Sequence, residues 1–231
     1  MIKFSCFAST LHEAGIVVTA DCDLAQKKHA NLVTLVPIVS VQTIMESYLL
    51  LEDCEKKREA IEVWACKYFD VKHSGDPIQK KAILDARIKE ANTDDDNVGL
   101  VAAKIATDRI VSITTQQYKE LMKAIGSTTK KVEALSDQIG NRGDLLILPD
   151  TKALSISGNI AWVRHIWQVS LADIALRTSD VATKQGEKVA RLDSPFRYRL
   201  TQLMAQVFSD IGLPDIKHPI NEQVQEAYNR V

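Results

Sequence analysis

Glycine and proline are scarce in this 231-residue chain, nine and six residues, which excludes a collagen-like repeat and broad disorder. Neither sign of charge dominates. Lys plus Arg total 29 and Asp plus Glu total 30, for a formal net charge of -1. That excludes a strongly basic nucleic-acid coat or an acidic tail as the main feature, and leaves room for a local basic patch. Long apolar runs are also missing. The longest, around Leu32–Val41 and Leu145–Leu148, fall well short of the ~18 residues that a membrane span needs. The opening stretch MIKFSCFASTLHEAG holds no apolar run of signal-peptide length and is interrupted by His12 and Glu13, so the expectation is a cytoplasmic protein with no membrane attachment. The four cysteines, Cys6, Cys22, Cys54 and Cys66, form no C-x-x-C pair and read as free thiols in a reducing compartment rather than a disulfide or metal framework. No metal and no cofactor is expected. The chain contains no G-x-x-x-x-G-K-[ST], G-x-G-x-x-G, G-x-S-x-G or H-E-x-x-H motif, which argues against a standard nucleotide hydrolase, dinucleotide enzyme, serine hydrolase or zincin.

What is present is an apolar content of 45% beside 26% charged residues, enough for a real core. The length suits one domain with an insertion, or two small domains. GIVVTAD, Gly15 to Asp21, reads as a half-buried strand, and Asn31 to Val39 as a second, whose Pro37 suggests an edge or strand-end position. The two make a plausible hairpin with a long polar connection. From Ser40 the period becomes helical. Val41, Ile44, Tyr48 and Leu51 share a face, as do Ile61, Trp64, Ala65 and Tyr68. Asp76 and Pro77 signal a helix start, with Leu84, Ile88 and Ala91 as its stripe. Asp94, Asp95 and Asp96 suit a cap for a helix through Leu100 and Ile105, and Thr114 to Ile139 reads as helix interrupted near Gly126. Strands return with DLLILP, Asp144–Pro149. Asn159–Val169 follows as a strand with a bulge near Val163–Arg164, then a short strand over Glu187–Leu192. A helix begins at Ser194 and ends at Gly212 and Pro214, with a short helix expected over Asn221–Asn229. Because strands and helices do not alternate, a doubly wound fold is disfavoured. The expected class is α+β: a small, mostly antiparallel sheet or barrel with a large helical insertion and a C-terminal packing helix. The N-terminal hairpin would span 1–39, the insertion 40–140, and the remaining strands and C-terminal helices 141–231.

The densest polar cluster is Asp21-Cys22-Asp23-Leu24-Ala25-Gln26, followed by Lys27, Lys28 and His29, where a strand leaves the sheet. Asp21 and Asp23 could hold a cation or position a base, Cys22 could act as a nucleophile if its pKa were lowered, and Gln26 could bind a ligand. The plainer alternative has the two carboxylates bonding turn amides while Cys22 fills an apolar gap. Arg164 and His165 are the second cluster. Arg164 suits recognition of phosphate or carboxylate, and His165 suits proton transfer near neutral pH. On a strand the two would face opposite sides. The alternative is a partly buried His165 bonded to backbone, with Arg164 paired to a surface carboxylate. Arg191, Arg197 and Arg199 could form a modest anion patch. Lys56-Lys57-Arg58 is offset by neighbouring acids and reads as a solvated helix face. Asp94–Asp96 resembles half a calcium loop but lacks the rest of one. His12, His73 and His218 lack ligand-like spacing.

Two stretches carry a resemblance. GIVVTADCDLAQKKHANLVTLVPIV resembles the N-terminal hairpin of uncharacterised bacterial proteins with a strand–CD(L/I)–strand signature, often encoded with mobile elements or anti-phage defence genes. DLLILPD, NIAWVRHI and ARLDSPFRYRLTQLMAQVFSDIGLP are similar, in the same order, to the C-terminal half of such proteins. The likeness covers about 40% of the chain, skips the helical insertion, and singles out Asp21, Cys22, Asp23, Arg164 and His165. More distantly the hairpin resembles the small barrels of the MazF/PemK toxin family. That would imply metal-independent RNA cleavage, although this chain departs from the family's motif and is twice its length. The functional expectation is an accessory binding module of a bacterial or phage, and in particular defence-associated, system. It would take a protein partner through the helical insertion, with nucleic acid as a further possible partner. The alternative is a nuclease or toxin-like hydrolase using Asp21, Asp23 and Arg164 or His165. A transcriptional regulator is a third reading, for which no helix-turn-helix with a basic recognition helix is evident.

Overall fold

A computed structural model of the chain describes residues 1–7, 9–19, 31–72, 76–91, 97–149 and 151–209. The eight strands are β1 (Ile2–Phe4), β2 (Ala14–Val17), β3 (Leu32–Val39), β4 (Leu145–Ile147), β5 (Ile160–Trp162), β6 (Trp167–Ser170), β7 (Ile174–Ala175) and β8 (Gly186–Lys188). They form one sheet in the order β4-β5-β3-β2-β1-β8-β7, with β6 also on β3. Among the described residues the sheet does not close into a barrel, and it is mixed, because β7 and β8 run parallel. The class is α+β, as the residue pattern implies.

The hairpin of β2 and β3 forms as read, with Ile16 opposite Val36. The expectation of an edge position for β3 is corrected, since β3 is the central strand. Along its second edge it pairs with β6 over Leu32–Leu35 and with β5 over Ile38–Val39. Pro37 falls in the gap between those two partners, where its missing N–H costs the ladder nothing. Burial on both faces explains the nearly unbroken apolar run, with Leu35, Val36, Ile38 and Val39 at most 1% exposed. Across the β2–β3 pair, the Trp167 ring lies over Gly15, and a Cβ there would collide with it.

The single bulged strand expected over 159–169 is two strands. The chain leaves the sheet after Trp162, turns through 163–166 and returns as β6, so both pieces pair with β3 at different points. The last strand covers Gly186–Lys188 rather than 187–192, and β1 and β7 were too short for any periodic signal.

Seven helices complete the described residues. The first, α1 (41–56), contains a π-helical turn at Met45–Leu49. It is followed by α2 (Arg58–Tyr68), α3 (Pro77–Glu90), α4 (Val98–Ala106), α5 (Thr115–Ala124), α6 (Val132–Gly140) and α7 (Ser194–Ser209). The π turn changes which face of α1 is buried. Ile44, Leu49, Leu50 and Cys54 point inward, while Tyr48, expected inside, is 39% exposed; Val41, ahead of the turn at the helix's first position, is 45% exposed. An extra residue in one turn rotates everything after it by about 100°. Asp76 caps α3 with Pro77 in its first turn, as expected. Thr114 and Gln117 form a capping box on α5. Helix α4 is capped by Asn97, whose side chain accepts from the Gly99 N–H, and Asp94, Asp95 and Asp96 lie outside the described residues.

Helices α1–α6 bury a core of Ile61, Leu84, Ile105, Leu121 and Met122, each worth about 1.5–3 kcal/mol in area terms. Val39, Ile160 and Trp162 belong to the same cluster, so helical layer and sheet share one core. Helix α7 packs Leu200, Leu203 and Val207 onto Ile38, Leu146 and Ala161. Phe208 was expected on that face and is 37% exposed. Among the described residues, no helix is long and apolar enough to cross a membrane.

Candidate functional site

Asp21, Cys22, Asp23 and Gln26 lie outside the described residues, and so does the Asp23–His165 separation that general acid–base pairing would require to be short. Arg164 and His165 are described, and both sit in the turn between β5 and β6. The alternation argument that put them on opposite faces of a strand is therefore corrected. The His165 N–H donates to the Trp162 carbonyl at 3.2 Å, which turns the chain back within three residues.

Arg164 faces a group that sequence reasoning did not single out, and His165 packs on a ring that the same group binds. Asp144 precedes β4 and is 3% exposed. Its carboxylate accepts two bonds from Arg142, at 2.9 and 2.8 Å, and a third from the Trp162 indole N–H at 3.1 Å. Arg164 Nε stands 3.4 Å from the same Oδ2. The Asp144 carbonyl also accepts the Val163 N–H at 3.0 Å, so this one residue fixes the start of the turn as well as its charges. Burial alone would push the Asp144 carboxyl up, but the Arg142 guanidinium and the indole hold it below the usual carboxylate range. The alternative reading of Arg164 is thus half right: it faces a carboxylate, but a buried one.

Aromatic rings enclose the pair. The Arg142 guanidinium carbon lies 4.8 Å from the Tyr48 ring centroid and 5.2 Å from that of Trp162. The His165 ring packs 3.7 Å from Trp162, centroid to centroid. Partial burial against that ring, and then the Arg142 charge, hold His165 below its ordinary value, with Asp144 opposing. A cavity of about 410 Å³ opens here, lined by Arg142, Gly143, Asp144, Arg164, Gln206 and Val207.

The chemistry follows from the valences. Asp144 accepts three hydrogen bonds beside two guanidinium groups, which favours the ionised form and makes it a clamp rather than a base. Arg164 spends one edge on it and leaves the rest of its fork to solvent, its side chain 55% exposed. The burial and the Arg142 charge that lower the His165 pKa favour its neutral form, with its ring against Trp162. A legible hint of Arg142 and Asp144 existed in NRGDLL, an arginine and an aspartate two apart at a strand start. Tyr48 was hidden by the π turn. Arg191 and Arg197 line a separate cleft, whereas Arg199 turns away to Gln202 at 2.9 Å. His12 packs on Trp167, 5.1 Å between centroids, and His73 and His218 lie outside the described residues. Cys6 is exposed, and Cys54 and Cys66 are buried free thiols. Among the described residues no three His, Cys, Asp or Glu side chains gather as a metal site. Lys56, Lys57 and Arg58 each pair with an acid, but the solvated face expected of them holds only for Lys56, since the Lys57 and Asp53 side chains are 24% and 12% exposed. Comparison with protein-family models, curated proteins and solved structures finds no match to this chain.

Proposed function

We propose that the chain is an accessory binding module that grips an anionic partner without catalysis. The observation that carries this reading is the Arg142–Asp144–Arg164 arrangement: a buried carboxylate that accepts three hydrogen bonds lies against two guanidinium groups, one of them on a half-exposed side chain. Such a clamp lowers the entropy lost when Arg164 engages a phosphate or carboxylate, and its carboxylate is committed to donors rather than placed to act as a base. Arg164 is also one of the residues that the resemblance to defence-linked bacterial proteins singles out. A protein partner would meet the helical layer, where Ile78, Val111 and Val132 are 79%, 85% and 77% exposed.

The test is fluorescence anisotropy with a labelled single-stranded RNA, a duplex DNA and an acidic peptide, run beside cleavage assays with and without divalent metal. Binding of one probe that weakens about tenfold in Arg164→Ala, with no cleavage, is the expected result. A second reading, hydrolysis by Asp21 and Asp23 with Arg164 or His165, draws support from the depressed His165 pKa beside an exposed arginine. Cleavage that disappears in Asp23→Ala would replace the binding reading with that one.

A further inference from the structure

A larger cavity, about 940 Å³, lies on the opposite flank of α7 from Arg164. One wall is the α7 face carrying Arg197, Leu200, Thr201, Met204, Ala205 and Phe208, residues that recur at three- and four-residue spacing. The facing wall comes from β1 and β2 through Ile2, Ile16 and Val17, and the third side is 188–192. The volume is in the range of small-ligand sites.

Its charge is one-sided. Lys188, Arg191 and Arg197 line it, and among the described lining residues there is no Asp or Glu. Five described arginines face a carboxylate within ion-pair distance: Arg58, Arg87, Arg109, Arg142 and Arg164. Arg191 and Arg197 have no such partner among the described residues. Two uncommitted guanidinium groups and an ammonium at the rim of an apolar trough match one kind of solute. We infer that the cleft binds a small amphipathic anion, its phosphate or carboxylate head at Lys188, Arg191 and Arg197 and its apolar body along Ile2, Ile16, Leu200 and Met204. The head supplies charge-assisted bonds, and the body displaces water from the trough.

Three probes separate the contributions by calorimetric titration of the full chain: octyl phosphate below its critical micelle concentration, inorganic phosphate, and octyl glucoside. The expected result is one-to-one binding of octyl phosphate, at least tenfold tighter than either of the others. The double variant Arg191→Ala/Arg197→Ala is expected to weaken octyl phosphate at least tenfold, to the level of octyl glucoside. Ala205→Trp, which fills the trough without touching charge, is expected to abolish binding. All three sites are on exposed positions, so the far-ultraviolet circular dichroism and melting temperature of both variants should match the parent chain. Octyl phosphate binding no tighter than octyl glucoside would overturn the inference. So would unchanged binding in either variant.

Discussion

Asp144→Ala is the substitution on which the reading of the site depends most directly. The carboxylate accepts three hydrogen bonds in a setting where its side chain is 4% and the Arg142 side chain 17% exposed. Truncation leaves a mostly buried guanidinium without its counter-ion and a buried indole N–H unpaired. Breaking one side of such a pair costs about 3–5 kcal/mol, most of it the penalty of the charge left behind. At ~2–4 °C per kcal/mol for a chain of this size, the melting temperature should fall by roughly 6–20 °C. Asp144→Asn keeps the shape and loses the charge, for about 1–3 kcal/mol. Adding Arg142→Ala to Asp144→Ala should cost much less than the sum of the two, because the second change removes the stranded charge. The assay is urea unfolding followed by far-ultraviolet circular dichroism. The sign of the pH effect is fixed by the depressed folded pKa of Asp144. Its contribution is fully present above the unfolded value of about 3.9 and disappears as pH falls through the folded one, so parent and variant should converge in acid. An Asp144→Ala chain within about 1 kcal/mol of the parent at pH 7 would refute the claim that this carboxylate organises the turn.

Tyr118→Phe removes a buried hydroxyl that donates to Asp53 at 2.6 Å and accepts the Lys130 N–H at 2.9 Å, and should destabilise the chain by about 1–3 kcal/mol in the same unfolding assay. The His165 ring should titrate below about 6.5 in a two-dimensional NMR pH series, and its midpoint should rise in Arg142→Ala. Because that pKa is lowered on folding, protonation favours the unfolded chain, and stability from this group declines as pH drops through 6.5 towards the folded value. Burial pushes the Cys54 thiol up to about 12 and raises Cys66 as well. In native protein a maleimide read out by peptide mass spectrometry should therefore label exposed Cys6 well before either of them, and equal labelling rates would contradict the packed helical core.

The long elements were legible because each repeats one signal many times. Helix α3 carries its N-cap, its proline and its stripe in order, and β3 is an apolar run too strong to miss. The failures occur where three-dimensional context overrides local pattern. Pro37 marks an edge in isolation, yet a central strand can hold it where one neighbour ends and the next begins. The π turn of α1 shifted the buried face by one residue, which a regular 3.6 period cannot represent. Arg164 and His165 were found from their residue types, but the group that unites them, Asp144, stands twenty positions upstream and was read only as the start of a strand. Nothing local distinguishes an aspartate that begins a strand from one that anchors a buried network.

The placement of β3 also governs the order in which this chain can assemble. Its second edge stays open until β5 and β6 arrive, and the whole helical layer is strung between them in sequence. Closing so long a loop as random coil would be entropically slow, but α1–α6 pack on one another within the insertion, α2 on α4 above all, and draw Val39 and Trp162 into one cluster. Those helices act as a ratchet that shortens the effective distance between the two halves of the sheet. Refolding followed by hydrogen exchange should protect the helical amides first and the β3–β5 amides later, with β1–β8, joined from opposite ends of the described chain, among the last to close.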